Sequence, residues 1–471
     1  MEWVASWTQF FFTLALVNLI GVVSIAFILL SGLRHIRKLI DIPINLECDP
    51  KVSIIVAARN EERHIRPAIE SLLRLDYRNL EIIAVNDRST DRTGSILDDL
   101  ACDDGPLQVI HLTELPCGWL GKNHALQYGA DLATGQWLLF TDADVVMDPT
   151  TLRRAISFAM SNKVDHLAVM PEARMPSLFL ESFVAVFIVG FSLFFRPWKA
   201  HAPESSAHVG VGAFNLIRST TYRAIEGHKP LRMRPDDDVM LGKLVKLHQH
   251  SQGVSSGIGL IWVPWYSSIR EVVVGLEKNA FAVMNYSIAK TLLCSIMCLL
   301  FLLLPFGAVF FSSGVTAIVN LLIIAVLLSI GWRVTSEIRV RTLSIVFFPA
   351  VILLLLFIQW RAMLVTVISG GIHWRGTFYP LADLKSNRLC FESRPHNPKR
   401  LKFNQAVFGV RLHPSLLRTP ARLDKAVNDR LGEHRVREKT IAVVVSGLKV
   451  WPQLEIAVER RLCFSPAFQV P

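Results

Sequence analysis

The sequence predicts an α/β domain, with a mostly parallel sheet and flanking helices, between an N-terminal and a C-terminal membrane region. Between residues 50 and 145, apolar segments of strand length alternate with amphipathic segments. This alternation is typical of a parallel sheet with right-handed crossover helices. Long uncharged apolar segments lie on both sides of that region. The chain of 471 residues is 51% hydrophobic, which is high for a soluble domain alone.

The uncharged segments predict the membrane helices. Residues 10–33 carry no charge and are long enough to cross a bilayer. They lack a basic leading region and a small-residue cleavage site, so we interpret them as a retained anchor. Residues 291–332 predict two helices that turn at residues 312–314, and residues 342–360 begin a further apolar segment that continues to Ile372.

The distribution of charge predicts the orientation. Arg34, Arg37 and Lys38 follow the first apolar segment directly, whereas Glu2 precedes it. The positive-inside rule therefore places residues 34–288 in the cytoplasm of a multi-pass protein of the inner (plasma) membrane. The seven cysteines are scattered and form no zinc-binding pattern. The net charge of +11 is spread around the anchors and the C-terminal tail, which favours anionic lipid over nucleic acid as the partner.

Acidic side chains follow the predicted strands of the soluble domain. The predicted strands cover residues 52–57, 80–85, 107–111 and 137–140. Asp87 follows the second of them, and Asp142 and Asp144 follow the fourth. In an open α/β sheet, ligands bind at the carboxyl ends of the strands. We therefore expect these three carboxylates to lie along one edge of the sheet.

Asp142 and Asp144 could hold one hard divalent cation, Mg²⁺ or Mn²⁺, which would then bridge two phosphates. The alternative is a plain turn, because such acidic pairs are common on turns. Asp87 has the same alternative, since Asn-Asp clusters also form turns. Its position at the end of a strand favours a contact with the base or ribose of a nucleotide.

Two further groups of charged residues follow along the chain. Lys122 lies where a glycine-flanked loop enters a helix, and it could neutralise a diphosphate there; a solvated surface lysine is the alternative. Asp236, Asp237 and Asp238 precede an amphipathic helix. The helix dipole alone would favour acidic residues at this position. Their mutual repulsion, however, would raise the pKa of one of them toward that of a general base.

Taken in order, these motifs resemble those of the family-2 glycosyltransferases, which are inverting enzymes with the GT-A nucleotide-sugar fold. The resemblance covers roughly residues 50 to 290. The residues that carry it are Ala58 to Glu61, Val85 to Asp91, Gly121 and Lys122, Thr141 to Asp144, and Asp237 to Leu241.

The resemblance implies a role for each matched position. It implies that the donor is bound by Ala58, Asn60, Glu61, Asp87, Lys122 and Asp142. Asp142 and Asp144 would be the metal carboxylates, with Asp144 as the more direct ligand. Asp238 matches the catalytic base of the family's Glu-Asp-x-x-Leu motif. Asp237 stands where the family has the glutamate.

The membrane-anchored subgroup that acts on lipids is the most similar, and it includes hopanoid-associated, carotenoid and ceramide glycosyltransferases. Gly212, within residues 210–215, and Trp374 and Arg375, within residues 373–379, also match this subgroup and would complete the site on the acceptor side. Processive members carry Gln-x-x-Arg-Trp, whereas residues 265–271 contain no such motif. The resemblance therefore implies the transfer of a single sugar.

Two apolar segments must be reconciled with a single site. If residues 178–195 crossed the membrane, Asp142 and Asp238 would lie on opposite sides of a bilayer about 30 Å thick. We therefore expect a buried core helix or an interfacial helix there. Counting the later segments as spans would place residues 374–376 outside the cell. We expect them on the cytoplasmic side, which requires one re-entrant or interfacial segment.

The predicted organisation has an anchor at residues 1–33, a cytoplasmic domain at 34–288, a membrane region at 289–386 and a basic, flexible tail at 387–471. The predicted function is transfer of one sugar from a nucleotide-sugar, with a UDP-sugar expected, to a lipid or isoprenoid-like acceptor. One alternative is transfer to a polyprenyl phosphate, which needs no base. The other is a catalytically silent membrane scaffold that retains the fold.

Overall fold

The computed structural model describes residues 2–45, 49–101, 105–374 and 376–387. The predicted tail and Arg375 lie outside the described residues. The helices are α1 (Glu2–Leu33), α2 (Ile65–Leu73), α3 (Thr93–Leu100), α4 (Gly121–Leu132), α5 (Thr151–Ser161), α6 (Leu178–Phe195), α7 (Ser219–Ala224), α8 (Asp237–Leu247), α9 (Ile269–Val283), α10 (Ile288–Cys298), α11 (Leu304–Phe311), α12 (Gly314–Glu337), α13 (Phe348–Ile368) and α14 (Leu381–Ser386).

The strands form one large sheet and two small ones. They are β1 (Arg37–Lys38), β2 (Val52–Ala58), β3 (Leu80–Asp87), β4 (Leu107–Leu112), β5 (Trp137–Asp142), β6 (Val146–Met147), β7 (His166–Met170), β8 (Glu172–Ala173), β9 (Asn215–Arg218), β10 (Gln252–Ser256), β11 (Ile261–Val263), β12 (Gly371–Trp374) and β13 (Thr377–Pro380). The large sheet has the order β1-β10-β7-β9-β5-β2-β3-β4. Its pairs are parallel except those of β9 with β5 and with β7.

The large sheet is covered on both faces, as its apolar strands require. One face packs against α2 and α5, and Ile54, Leu139 and Ile156 are fully buried there. The other face packs against α4 and α8, where Ile55 and Val245 are fully buried. The predicted α/β class with a mostly parallel sheet and flanking helices is confirmed.

The described residues contain five helices that are long and apolar enough to cross a membrane: Gln9–Leu33, Leu178–Lys199, Ile288–Phe311, Gly314–Glu337 and Thr342–Ile368. Helices α10 and α11 are joined by a π-helical turn at Leu299–Leu303. The turn into α12 falls at residues 312–313, where the sequence predicts it. Along its length α12 packs against α1, with Ala15, Val22 and Ile323 buried between them.

Both ends of α6 contact the α/β domain. Near its first turn, the Phe183 ring lies 5.9 Å from the ring of Trp265, which follows β11. Just after its last turn, Lys246 of α8 donates hydrogen bonds to the carbonyl oxygens of Ala200 and Ala202, at 3.1 and 2.7 Å. The α/β domain therefore contacts this helix near both of its ends.

The apolar segment Thr342–Ile368 also has both ends near the α/β domain. Just before it, the Arg339 guanidinium lies against Gly259, in the loop that leads to β11. The Arg341 Nε lies 3.0 Å from both carboxylate oxygens of Glu181 on α6. Near the other end, Arg361 Nε lies 2.9 Å from Glu277 Oε2 on α9.

Candidate active site

The carboxyl ends of β2, β3 and β5 meet at one edge of the large sheet. In the parallel register, Ala57 lies opposite Asp142 and Ala58 lies opposite Asn86. Residues that follow these strands therefore share one edge, as predicted for Asp87, Asp142 and Asp144. The sheet brings these carboxylates together because neighbouring parallel strands end at the same level.

Lys122 lies among the acidic residues. Its Nζ is 2.7 Å from Asp142 Oδ1 and 3.7 Å from Asp237 Oδ2. Burial alone would lower the pKa of Lys122, but the charges of Asp142, Asp237 and Asp238 raise it, so that the ammonium group remains charged. The alternative of a solvated surface lysine is wrong.

A buried asparagine holds Lys122 in this position. Asn123 Nδ2 donates hydrogen bonds to the carbonyl oxygens of Leu231 and Arg234, at 2.6 and 2.9 Å. The Leu120 N–H also donates to the Arg232 carbonyl, at 2.7 Å. The first turn of α4 is thereby fastened to the loop that precedes α8. This connection places Lys122 between the end of β5 and the start of α8.

The three adjacent aspartates have different environments. Asp236 pairs with the buried Arg234, whose Nε and Nη2 lie 2.8 and 2.6 Å from its carboxylate oxygens. Asp237 is buried beside Lys122. Asp238 is partly exposed and lines the large cavity described below. Among the described residues, Asp236 and Asp237 each have a cationic side chain within 4 Å, whereas Asp238 has none at that distance and is accessible from the cavity.

The Asp238 carboxylate is held by backbone N–H groups. The Gly212 N–H donates to Asp238 Oδ2, and the Val239 N–H donates to Asp238 Oδ1, each at 2.8 Å. Burial raises the pKa of Asp238, as does the charge of Asp142, whereas the charge of Lys122 lowers it; the net shift is upward. Burial likewise raises the pKa of Asp237 to about 7. A carboxylate with a raised pKa has the proton affinity that general-base catalysis needs.

Gly212 is part of this site because it has no side chain. Its carbonyl accepts a hydrogen bond from the Asp142 N–H at 3.0 Å, while its own N–H holds Asp238. A Cβ atom at this position would collide with Asp142 Oδ2. At Gly210, a Cβ would collide with the Asp238 carbonyl oxygen. The glycines therefore let this loop lie directly against both carboxylates.

Asp144 lies among other acidic side chains, an environment that suits a bound cation. Burial, together with the neighbouring charges of Asp142 and Glu61, raises the pKa of Asp144 to about 7. Within the described residues, no group of three or more histidine, cysteine, aspartate or glutamate side chains could hold a metal by itself. The oxygen-only donor set of Asp142 and Asp144 nevertheless fits Mg²⁺ or Mn²⁺, because a cation would relieve the repulsion between these two partly exposed carboxylates.

Asp87 is buried and fully engaged with basic side chains. Arg88 Nε lies 2.7 Å from Asp87 Oδ1, and Arg88 Nη2 lies 3.1 Å from Asp87 Oδ2. The Arg59 guanidinium is 3.7 Å away. Asp87 is only 2% exposed, so it is not a solvated surface carboxylate. Sequence reasoning did not single out Arg59 or Arg88.

The loop that contains Asn60 and Glu61 is tied to the loop after β3. The Asn60 N–H donates to Ser89 Oγ at 3.0 Å, and Asn60 Oδ1 accepts from the Thr90 N–H at 2.8 Å. The Glu61 N–H donates to Thr93 Oγ1 at 2.8 Å. These contacts put the predicted donor-binding residues on one wall of the same cavity as Asp142.

The hairpin formed by β12 and β13 also reaches the site. The Lys278 ammonium lies 4.0 Å from the centre of the Trp374 ring. Ile372 and Tyr379 of this hairpin are buried in a cluster with Leu120, just before Lys122. The predicted proximity of Trp374 to the site therefore agrees with its position on the cavity wall.

Trp265 and Tyr266 also belong to this site. In the sequence they stand out only because residues 265–271 lack the Gln-x-x-Arg-Trp motif. Their rings stack with centres 5.1 Å apart, and Trp265 also meets Phe187 of α6 at 4.8 Å. Burial and the nearby charge of Asp144 raise the pKa of Tyr266. These two aromatic residues therefore connect the carboxylates with the apolar helix α6.

One cavity of about 2140 Å³ joins all these groups. It is larger than the 300–1,000 Å³ that is usual for a small-molecule pocket. Its polar end contains the predicted donor-site residues, and its apolar end lies among α6, α10 and α13. The lining includes Ala58, Asn60, Glu61, Asp87, Lys122, Asp142, Asp144, Gly212, Asp237, Asp238, Tyr266, Phe187, Phe191, Cys294, Leu355, Gln359 and Trp374.

Comparison with known proteins shows several similar sequences. The chain is 28% identical over 245 residues to the 4,4'-diaponeurosporenoate glycosyltransferase of Staphylococcus haemolyticus, which covers 50% of this chain and 62% of that protein. It is 31% identical over 166 residues to the beta-monoglucosyldiacylglycerol synthase of Nostoc, covering 35% and 34%. It is 33% identical over 125 residues to an uncharacterized glycosyltransferase of Haemophilus influenzae, covering 26% and 37%. The matched segments therefore span less than two thirds of these relatives.

Among solved structures, a mannosyltransferase from Pyrobaculum calidifontis in complex with GDP-Man and Mn²⁺ aligns with 76% of this chain and 99% of its own. Its TM-score is 0.44 and its sequence identity is 16%. The family model of glycosyl transferase family 2 matches residues 53–222, which run from β2 to α7. The α/β region of this chain therefore contains a glycosyltransferase family 2 domain.

Proposed function

We propose that this protein is a membrane-bound, inverting glycosyltransferase that moves one sugar from a nucleotide-sugar to a lipid-like acceptor at the cytoplasmic face. The observation that carries the proposal is the single cavity, which runs from the carboxylates of the family-2 domain to the apolar helices α6, α10 and α13. A polar donor and an apolar acceptor could meet in such a cavity.

The donor would lie along the carboxyl edge of the sheet. Asp87 would contact the nucleoside, with its carboxylate held in place by Arg88 and Arg59. Ala58, Asn60 and Glu61 would form the adjoining wall, and a UDP-sugar is the donor we expect. Lys122 would turn from Asp142 toward the diphosphate, because phosphate oxygens are strong partners for an ammonium group.

Asp142 and Asp144 would hold Mg²⁺ or Mn²⁺. When bound, the cation would neutralise the negative charge that develops on the leaving diphosphate. The protein supplies the position of the two carboxylates, which the strand β5 and the backbone of Gly212 define. Lys122 now compensates part of the charge on Asp142.

Asp238 would act as the general base. It would accept the proton from the acceptor hydroxyl while that oxygen forms a bond to the anomeric carbon of the sugar. The bond from that carbon to the diphosphate oxygen breaks on the opposite face, so the configuration inverts. The N–H groups of Gly212 and Val239 orient the carboxylate, and its raised pKa matches this task.

The acceptor would be a lipid or an isoprenoid-like molecule. The names of two similar proteins, a diaponeurosporenoate glycosyltransferase and a monoglucosyldiacylglycerol synthase, support this class of acceptor. The apolar side chains of Phe187, Phe191 and Leu355 along the cavity support it as well. Such a lipid would enter from the bilayer with its hydroxyl group toward Asp238.

The proposed arrangement places the α/β domain on the cytoplasmic side of the inner membrane. Helix α1, the pair α10 and α11, and helix α12 would cross the bilayer. Helix α6 would lie at the interface, and residues 342–368 would be re-entrant. Three contacts support this arrangement. Lys246 of α8 binds the Ala202 carbonyl just after α6, Arg341 binds Glu181 just before the 342–368 segment, and Arg361 of α13 binds Glu277.

The test is mass spectrometry of lipid extracts from cells with the gene, without it, and with the Asp238→Asn variant. We expect one lipid class to carry an additional hexose-sized mass only in cells with the active protein. An unchanged lipid profile, together with transfer of sugar to a soluble acceptor by the purified protein, would contradict the proposed acceptor.

A further inference from the structure

A small sheet brings Tyr266 beside the carboxylates. Trp262 of β11 lies opposite Val146 of β6 in an antiparallel pair. Asp144 precedes Val146 by two residues, and the chain that follows Trp262 runs in the opposite direction, so it passes beside Asp144. Tyr266 belongs to this segment, and the charge of Asp144 is close enough to raise its pKa.

Neighbouring residues hold the Tyr266 ring in place. The ring stacks on Trp265, with the centres 5.1 Å apart. It also lies so close to α9 that a Cβ atom at Gly275 would collide with the ring and its hydroxyl. The start of α9 fixes the loop between them, since the Ser267 N–H donates to Glu271 Oε2 at 2.8 Å. The position of the phenol group is therefore well defined.

The hydroxyl of Tyr266 is available to a ligand. Tyr266 is partly exposed and lines the cavity. Its hydroxyl makes no hydrogen bond to another described residue, yet it is not one of the buried polar atoms that lack a partner, so it retains accessible surface. Tyr77, in contrast, donates to the Pro50 carbonyl oxygen at 2.7 Å. A tyrosine hydroxyl both donates and accepts hydrogen bonds, so it can bind another hydroxyl group.

The small sheet lies on the side of β5 that is away from Asp87. In the large sheet, β3, which ends at Asp87, and β7 lie on opposite sides of β5. Strand β11 lies between β6, which follows β5, and β8, which follows β7. Tyr266, three residues after β11, is therefore displaced from Asp142 in the direction opposite to Asp87.

We propose that Tyr266 belongs to the subsite for the transferred sugar, where its hydroxyl forms a hydrogen bond with a hydroxyl group of that sugar. The inference rests on the proposed function, which puts the nucleoside at Asp87 and the diphosphate at Asp142 and Asp144. The sugar follows the diphosphate, and in this direction it comes to lie beside Tyr266. Trp265, whose ring meets α6, would separate the sugar from the apolar end of the cavity.

This contact would make Tyr266 a determinant of donor specificity. A site that hydrogen-bonds a substrate hydroxyl discriminates against an analogue that lacks it. A nucleoside diphosphate without its sugar would not reach the Tyr266 hydroxyl. Loss of this hydroxyl should therefore weaken the binding of the nucleotide-sugar but not that of the diphosphate.

The test uses the purified full-length protein in dodecyl maltoside with Mn²⁺, and binding is measured by isothermal titration calorimetry. The probes are UDP-glucose, UDP-galactose, UDP-N-acetylglucosamine and GDP-mannose, each compared with its own nucleoside diphosphate. Tyr266→Phe keeps the ring and its stacking on Trp265 but loses the hydroxyl. Tyr128→Phe is the matched control, because Tyr128 is 41% exposed on α4.

For the nucleotide-sugar that wild type binds, we expect Tyr266→Phe to raise the Kd about three- to tenfold, which corresponds to one hydrogen bond. The Kd of the nucleoside diphosphate should not change, and Tyr128→Phe should leave both values unchanged. Deoxy analogues of the bound sugar then identify the contact, since the analogue that lacks the contacted hydroxyl should bind wild type and Tyr266→Phe equally.

Two outcomes separate the inference from the proposed function. If Tyr266→Phe leaves both Kd values unchanged, or weakens the nucleotide-sugar and the diphosphate equally, the inference is overturned while the proposed function stands. If wild type binds none of the four nucleotide-sugars, both the inference and the proposed function are overturned.

Discussion

Neighbouring residues of identical chemistry acquire different roles from their contacts in this protein. Asp236 compensates the buried Arg234, Asp237 lies beside Lys122, and Asp238 faces the cavity with its oxygens bound by backbone N–H groups. Burial raises the pKa of both Asp237 and Asp238, but only Asp237 lies within 4 Å of the Lys122 ammonium. Asp238 is partly exposed to the cavity, and it therefore has the access that a catalytic base would require.

The first prediction concerns Asp238. Asp238→Asn should lower turnover by about two to four orders of magnitude, the usual contribution of a general base, because the amide cannot accept the proton. Donor affinity should change little. Turnover and nucleotide binding are measured side by side with Asp237→Asn. A near-normal turnover for Asp238→Asn with an inactive Asp237→Asn would assign the base to Asp237 instead.

The second prediction concerns the cation. Asp144→Ala should abolish turnover, and a chelator should inactivate the wild type reversibly, since the diphosphate would lose its counter-charge. Activity is measured in excess chelator and again after Mn²⁺ or Mg²⁺ is restored. Asp148→Ala, on the loop after β6, serves as the matched control. Full activity in excess chelator would contradict the metal assignment.

The third prediction concerns Gly212. Gly212→Ala should strongly reduce turnover, because the new methyl group must displace the Asp142 carboxylate. Gly190→Ala is the control, since Gly190 also lines the cavity but a Cβ there meets no atom within 4 Å. Turnover and thermal stability are measured for both. Equal activity of the two variants would show that the close approach at Gly212 is not needed.

At the scale of elements, the central strands are joined by a buried polar network. His166 of β7 is fully buried; its Nε2 donates to Asn215 Oδ1 of β9 at 2.9 Å, and its Nδ1 accepts from Gln252 Nε2 of β10 at 2.8 Å. This arrangement needs the neutral imidazole, because a protonated ring would point an N–H at the Gln252 amide. Burial accordingly lowers the pKa of His166 to about 4.

The fourth prediction follows from this network. The folded pKa of His166 lies below its unfolded value of about 6.5, so the unfolded chain binds more protons between pH 6.5 and 4. The contribution of His166 to stability is complete above pH 6.5 and decreases as the pH falls. At pH 5 the loss should be about 2 kcal/mol. Thermal unfolding in detergent at pH 7.5 and 5 checks it, and His166→Gln should show a smaller dependence on pH. An unchanged dependence would contradict this role.

The fifth prediction concerns α6 and residues 342–368, the two apolar segments whose ends are both expected on the cytoplasmic side. Single cysteines at Ser177 and His201, on either side of α6, should react with a membrane-impermeant maleimide from the cytoplasmic side only. The same is expected at Thr342 and Ser369, on either side of the re-entrant segment. The background is a variant without native cysteines, and inverted vesicles are compared with right-side-out vesicles. Labelling of one end of either pair from the outside would refute the proposed topology.

At the scale of the whole molecule, apolar helices complete a site that begins at the edge of the large sheet. The segments around that edge supply the carboxylates and Lys122, whereas α6 and α13 supply an apolar wall. Trp265 and Tyr266 lie where these two parts meet. The α/β fold and the apolar helices of this chain therefore share one cavity.

The sequence by itself predicted β2, β3, β4 and β5, which are four of the eight strands described in the large sheet. It also predicted the candidate membrane segments and the edge on which Asp87, Asp142 and Asp144 lie. These features depend on local composition and on the repeated β-α order, which leaves the carboxyl ends of parallel strands side by side. The resemblance to one family brought Lys122 and Gly212 to attention, and both lie beside Asp142 in the structure.

Only the tertiary structure decided which partner each charged residue has. Arg88 and Arg59 engage Asp87, and Arg234 engages Asp236. The pairing of Arg59 with Asp87 joins segments that are distant in the chain, as does the link from Asn123 of α4 to the loop before α8. Local periodicity carries no information about these contacts, so burial and charge compensation appear only once the chain is folded.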